Sequence, residues 1–273
     1  MFAVTANAQQ AQVAGRIVAA KVKGTVTATN TVDNTKRELH DSDAITEKYV
    51  VTTAQNSSVI LVFSNGSTIN LAQDSTLSIE QFLQDPFSTS YAMATATAEP
   101  STSTTKLTLS RGELVGNVKH LNNAAGSTFT VNTPVGAAGI RGTTFRIVFR
   151  PDSSGKAFFT LSTAEGEVIL TGTTAQQLPV GTGKEVTVTV DVAIDAAGNV
   201  TLTSPPVVTG QDISPANQVT IAAAAADIAT TSGAIVFPTS TTSITTPPPP
   251  APPAPGPDVQ QQKPQTTSGD GKG

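Results

Sequence analysis

From Val13 to Val190 the apolar residues come in short alternating runs, broken every few positions by Gly, Asn, Asp or Ser. YVVTTA, SSVILVF, STINLA, STLSIEQF, KLTLSRGELVGNV, KAFFTLSTAEGEVILTG and KEVTVTVDVAID each send successive side chains to opposite faces, the period of a half-buried strand. Nowhere in this region do apolar positions recur every three or four residues, so the pattern predicts an all-β domain over residues 13–190. Between Gln84 and Thr105 the alternation is lost, which predicts a mobile surface insertion over residues 84–105. Residues 191–237 are expected to complete a hairpin, Val186 to Leu202 around a turn at Asp195–Asn199, and to add one short helix. That helix starts with Ser214 as N-cap and Pro215 at the first helical position, runs through five alanines to about Ile228, and is stopped by Ser232-Gly233.

One segment, FTVNTPVGAAGIRGTTFRIVF (Phe129 to Phe149), carries more than a strand pattern. Phe129, Val131 and Thr133 alternate with Thr130 and Asn132 until Pro134 removes a donor and stops the strand. Phe145, Ile147 and Phe149 resume the alternation beyond Gly136, Gly139 and Gly142, whose freedom suits a glycine-rich turn between two strands. Arg141 is the one charge in this turn. Its guanidinium either pins backbone carbonyls or is exposed to grip an anion, and the lack of supporting Lys, His or aromatic residues favours the pin. Thr133 and Thr143 are expected to satisfy backbone groups in the same turn.

Composition narrows the classes. Charged residues are 13%, and 10 of the 12 aromatics are Phe, so the core must be built from Val, Ile, Leu and Phe on sheets. A balance of 16 basic against 20 acidic residues, with neither sign clustered, gives no reason to expect nucleic acid as a partner. Zero cysteine excludes disulfides, zinc thiolate sites and thiol catalysis. Half of the 18 prolines lie after residue 246, and residues 238–273 read as an extended, disordered Pro-rich tail. Residues 1–12 read as the remnant of an export signal, because Ala6-Asn7-Ala8 before Gln9 has the small-x-small form a signal peptidase accepts. A frayed tail beginning at Met1 is the other reading, since the apolar stretch is short and lacks a positive charge.

Candidate chemistry is sparse. His40, Asp41 and Asp43 offer two or three ligands, but ligands so close in sequence need a further one from elsewhere, and a polar loop is the simpler reading. His120 lacks a nearby carboxylate. Glu165 and Glu167, two apart on one strand, lie too close in sequence to flank a glycosidic bond. Gly181-Thr-Gly183-Lys184 has the wrong spacing for a phosphate loop and reads as a turn. No catalytic residue, metal or cofactor is expected.

The segment described above resembles the FecR domain, whose "TP…(V/I)RGT…F" signature is carried here by Thr133, Pro134, Arg141, Gly142, Thr143 and Phe145. The resemblance extends over roughly residues 13–190. Gly24, Val26, Leu39, Asp43, Ile45 and Thr53 resemble the family's opening strand and "L…GD.I…T" element, with Ser42 where a glycine is usual. SSVILVFSNGSTINL is similar to its "s.v.l.f.dGs.i.l" hairpin, LTLSRGELVGNV to its "l.l..G.v" strand, and AEGEVILTG with Leu178, Gly181 and Glu185 to its closing strands. The resemblance implies a non-enzymatic, all-β domain, antiparallel and either sandwich-like or a short β-solenoid. It also implies a periplasmic or cell-surface protein of a bacterium that binds another envelope protein or relays a signal. The best-known members are inner-membrane sigma regulators with a Trp-rich anti-sigma segment and a membrane helix. This chain has no Trp and no apolar run near 18 residues, so neither an integral membrane segment nor a small-molecule substrate is implied. A structural matrix protein with a Pro-rich spacer is the alternative.

Overall fold

The computed structural model describes residues 12–172, 176–195, 198 and 200–240. The chain enters through β1 (Val13–Ala14), β2 (Ile17–Lys23), β3 (Val26–Asn30), β4 (Lys36–Glu38), β5 (Ala44–Ile45) and β6 (Tyr49–Thr53). It continues through β7 (Ser58–Phe63), β8 (Thr68–Leu71), β9 (Ser75–Gln84), the small β10 (Tyr91–Ala92), β11 (Ser103–Asn117), β12 (Thr128–Thr133), β13 (Gly136–Pro151) and β14 (Lys156–Gly172). Then follow β15 (Gln177–Gly181), β16 (Lys184–Ile194), β17 (Val200–Leu202), β18 (Val207–Asp212), the helix α1 (Pro215–Ser232) and β19 (Val236–Phe237).

Three strands are much longer than the rest, and each carries a glycine with positive φ at its middle: Gly112 (103°) in β11, Gly142 (61°) in β13 and Gly166 (79°) in β14. At these points the strands change partners. One sheet runs β4-β3-β6-β9, then the first half of β11, β12, the first half of β13, the second half of β14 and β15. The other runs β5-β2-β7-β8, then the second halves of β11 and β13, the first half of β14, β16 and β18. The glycines therefore act as bends through which three strands pass from one sheet to the other. Pairing is antiparallel except between β11 and β12, which are joined by a crossover and run parallel.

The inner faces of the two sheets meet, so the fold is a sandwich. Phe63 of the second sheet packs edge-to-face against Phe82 and Phe129 of the first, with ring centroids 5.1 and 6.3 Å apart. Around them Ile17, Val51, Leu61, Leu77, Leu107, Val131, Phe145, Phe149, Phe159 and Val188 form one continuous core of the residue types the composition demands. The sheets do not close into a barrel: among the described residues β18 pairs with β16 alone.

The outer face of the second sheet is covered unevenly. Ile60 and Val62 lie beneath Phe87, Met93 and Phe237, and β10 pairs with β19. Residues 84–105 thus differ from a mobile insertion in two respects. Gln84 and Ser103–Thr105 belong to β9 and β11, and the loop between them packs on a small core of its own. Tyr91 donates to Ala98 O at 2.6 Å there, and burial, with Glu99 nearby, pushes its hydroxyl up to about 12. Farther along the sheet α1 rests Ile221 and Ile228 on Val115 and Ile213. Ser214 caps the helix by accepting from Asn217 N at 3.3 Å, Pro215 opens it, and it ends at Ser232 with Gly233 as its cap, at the expected stop. The hairpin expected from Val186 to Leu202 is formed by β16 and β17. Folded structure also extends past residue 237, because Ser240 N donates to Phe87 O at 3.0 Å. The rest of the expected tail and residues 1–11 lie outside the described residues.

Candidate functional site

The signature residues fall at two places rather than in one turn. The chain reverses at Pro134-Val135, and β13 already begins at Gly136, so Gly136–Gly142 is strand and not a glycine-rich turn. Thr133 closes the reversal: its Oγ1 donates to Gly136 O at 2.9 Å and accepts from Gly136 N at 3.3 Å. Gly142 and Thr143 instead form the bend of β13, nested against the bend of β14. A Cβ on Gly166 would lie 2.9 Å from Gly142 O, and Thr143 Oγ1 donates to Glu167 O at 3.1 Å. Phe145 is fully buried, its ring lying where a Cβ on Gly116 would come within 2.5 Å.

Arg141 departs from its expected role. It is exposed, and its guanidinium makes no hydrogen bond or ion pair among the described residues. The carbonyls it was expected to pin have other donors, since Val118 N reaches Thr143 O at 3.0 Å and Thr143 itself serves Glu167 O. The other candidates are held by local structure. Asp43 Oδ2 lies 3.3 Å from Arg37 and accepts from His40 N, while Asp41 Oδ1 accepts from Val22 N at 2.7 Å. His120 sits beside the bend, its backbone bonded to Thr97 and Glu99. Glu165 and Glu167 flank Gly166 and are exposed. Thr182-Gly183 is the turn between β15 and β16, and Lys184 pairs with Asp212 at 2.7 Å.

Sequence reasoning missed the region where the two sheets end. There β15 of the first sheet and β18 of the second splay apart around an open groove of about 820 Å³. Val135, Leu170 and Leu178 line one side, and Val186, Val208 and Pro206 the other. β18 has no second neighbour among the described residues and is exposed along its whole length. Its side chains serve both faces. Val208 stands opposite the core residue Val188 and faces the groove, whereas Val207, 74% exposed, stands opposite Thr189 and, one strand further, Phe158, 53% exposed. Neither α1 nor the 85–102 loop covers this outer row. A weak sequence signal existed in the adjacent valines after Pro205-Pro206, but six residues interrupted by Gly210 are too few to assert a strand.

Beside the groove the helix is bolted to the sheet by charged groups. Glu185 is almost fully buried and accepts from Ser162 Oγ at 2.7 Å, Gln211 Nε2 at 3.0 Å and Asn217 Nδ2 at 2.6 Å. Burial alone would raise its pKa, but these donors and Ser214 N at the start of α1 outweigh burial and hold the carboxyl below its usual value. Asn217 Oδ1 in turn accepts from Arg146 Nη1 at 3.1 Å, and Arg146 Nε binds Glu113 Oε1 at 2.7 Å. One helical side chain thus joins an acidic and a basic group of the sheet. Glu113, Arg146, Ser162, Glu185 and the 211–217 segment lie far apart in sequence, so no local pattern announces the network.

Residues 49–169 match the family described as FecR protein. No curated protein matches the sequence. Two crystal structures of a candidate anti-sigma factor from Parabacteroides distasonis are similar to this fold at 12% identity and a TM-score of 0.41. The similarity covers 63% of this chain and 62% of theirs, so the chain spans less than two thirds of that protein's length. No described helix is long and apolar enough to cross a membrane.

Proposed function

Starting from a chain whose residues 49–169 match the FecR protein family, we propose that this protein is an exported signal-relay module of the bacterial envelope that works by binding another protein. The observation that carries the protein-binding part is the bare end of the sandwich. Apolar residues are left open on both faces of this sheet edge, Phe158 and Val207 on the outer face and Val208 with the groove on the inner one. Export rests on Ala6-Asn7-Ala8, which places the mature start at or near Gln9. The reading is non-enzymatic, because the acids and histidines singled out as candidate chemistry serve local turns and bends.

Crosslinking pull-down from envelope fractions of cells making the full chain, with N-terminal sequencing of the recovered protein, tests both parts. A discrete envelope partner and a start near Gln9 support the reading. Recovery from the cytosol with Met1 intact overturns export, and envelope protein that captures no partner overturns the binding role. A structural matrix role is favoured by one observation only, the threonine-rich outer rows of the first sheet, where Thr104 and Thr108 of β11 lie beside Thr128 and Asn132 of β12. High envelope abundance without a partner would point there.

A further inference from the structure

We infer that β18 is the acceptor edge for an extended strand of a partner protein, one with large apolar residues at alternate positions and an uncharged centre. This inference rests on the reading of the chain as a protein-binding module and names the kind of partner. Three features converge on it. The backbone of Val207–Asp212 is bonded on one side only among the described residues, so a row of donors and acceptors is free to extend the sheet. A strand laid along it would place alternate side chains on the two faces of the sheet. One set would continue the row Phe158-Thr189-Val207, and the other would enter the groove beside Val208.

The chemistry of the occupant follows from volume and charge. A second copy pairing through its own β18 would put only Val208, Gly210 and the charged Asp212 towards a groove of about 820 Å³, leaving most of it unfilled, so the inward positions call for larger apolar residues such as Leu or Phe. The only charge on the edge strand is Asp212 at its end, already paired with Lys184 at 2.7 Å. A strand neutral at its centre therefore leaves no charge desolvated without a partner.

Photo-crosslinking and fluorescence anisotropy on the full chain test this together. The probes are a labelled peptide of alternating threonine and leucine with lysine at each end, the same composition with its leucines adjacent, and a version with proline at its centre. The alternating peptide is expected to bind saturably, the other two about tenfold more weakly or not at all, since a central proline removes a ladder bond and adjacent leucines lose the phase. Val208→Asp should weaken the alternating peptide by at least about tenfold, and Val207→Lys, at a position too exposed to endanger folding, should weaken it in the same direction. With p-benzoylphenylalanine at position 207, crosslinks to the peptide support the inference. Crosslinks to a second copy or within the chain assign the edge to another occupant and overturn it, as does equal binding of all three peptides. If an envelope partner is captured equally by the native chain and by Val208→Asp, this inference fails while the binding role stands. If no partner is captured at all, the binding role itself fails.

Discussion

Glu185→Gln isolates the network that fastens α1 to the second sheet. In the native protein three side-chain donors converge on this buried carboxylate, at 2.6, 2.7 and 3.0 Å. Replacing one oxygen with NH₂ removes the charge from all three bonds and turns a donor towards at least one of Ser162, Asn217 or Gln211. The difference between a charged and a neutral hydrogen bond is about 1 kcal/mol each, so the change should destabilise the protein by about 3 kcal/mol at neutral pH. For a domain of this size that lowers the melting temperature by roughly 6–12 °C. The pH dependence supplies a second, independent check. Because the folded carboxyl titrates below its usual value of 4.5, its stabilisation is complete above about pH 4.5 and is lost as the pH falls through the lowered value. The variant has no such group, so the gap between the two melting curves should narrow on acidification from pH 7 to pH 3. Calorimetry across that range measures both. Equal melting at pH 7, or a gap that stays constant down to pH 3, would refute the role assigned to Glu185.

Ser42 holds a left-handed backbone, φ 73°, where a side chain is costly, so Ser42→Gly should stabilise the protein by about 1 kcal/mol in urea titration; a loss would mean its hydroxyl matters more than its backbone. Arg141→Ala should leave stability within about 0.5 kcal/mol, since the exposed guanidinium has no partner among the described residues, and a larger drop in a denaturant melt would restore the carbonyl-pinning role. Ending the chain at Thr241 should barely move the melting temperature. Ending it at Gly233 should lower it sharply and sensitise residues 85–102 to protease, because Phe237 and Ser240 hold that loop; limited proteolysis of the two proteins distinguishes the outcomes.

The strands, the core composition, the cap at Ser214 and the stop at Gly233 were legible because each rests on local rules of period, capping and backbone freedom. Ser42 was legible only as a departure from the glycine usual in the resembled family, and its left-handed backbone, φ 73°, supplies the reason for that glycine. The bend at Gly142 was misread as a turn because a reversal and a mid-strand bend ask the same thing of a residue, tolerance of positive φ. Only the partner strand tells them apart, and that strand lies beyond residue 156. Arg141 followed from the same confusion: in a turn its guanidinium has carbonyls to meet, whereas beside a bend those carbonyls already have donors. The groove and the Glu185 network escaped for a different reason. They are assembled from residues between 113 and 217, and no window of sequence contains enough of either to show it.

The clip formed by β10 and β19 separates the inherited segment from the cooperative one. Tyr91 pairs with Phe237, and β7, inside the family-matched stretch, depends on β2, which lies outside it. A gene fragment trimmed to residues 49–169 would encode strands whose neighbours it omits, leaving the cover over Ile60 and Val62 without Phe237 on one face and Leu61 short of Ala19 on the other. During synthesis the same dependence delays completion, because residues near 60 wait for residues near 237 to emerge before their outer face is sealed. Such long-range closure makes for slow folding and a prolonged interval with apolar strands uncovered. For the export proposed above, that interval is also the period during which an unfolded polypeptide remains fit to be threaded through a pore.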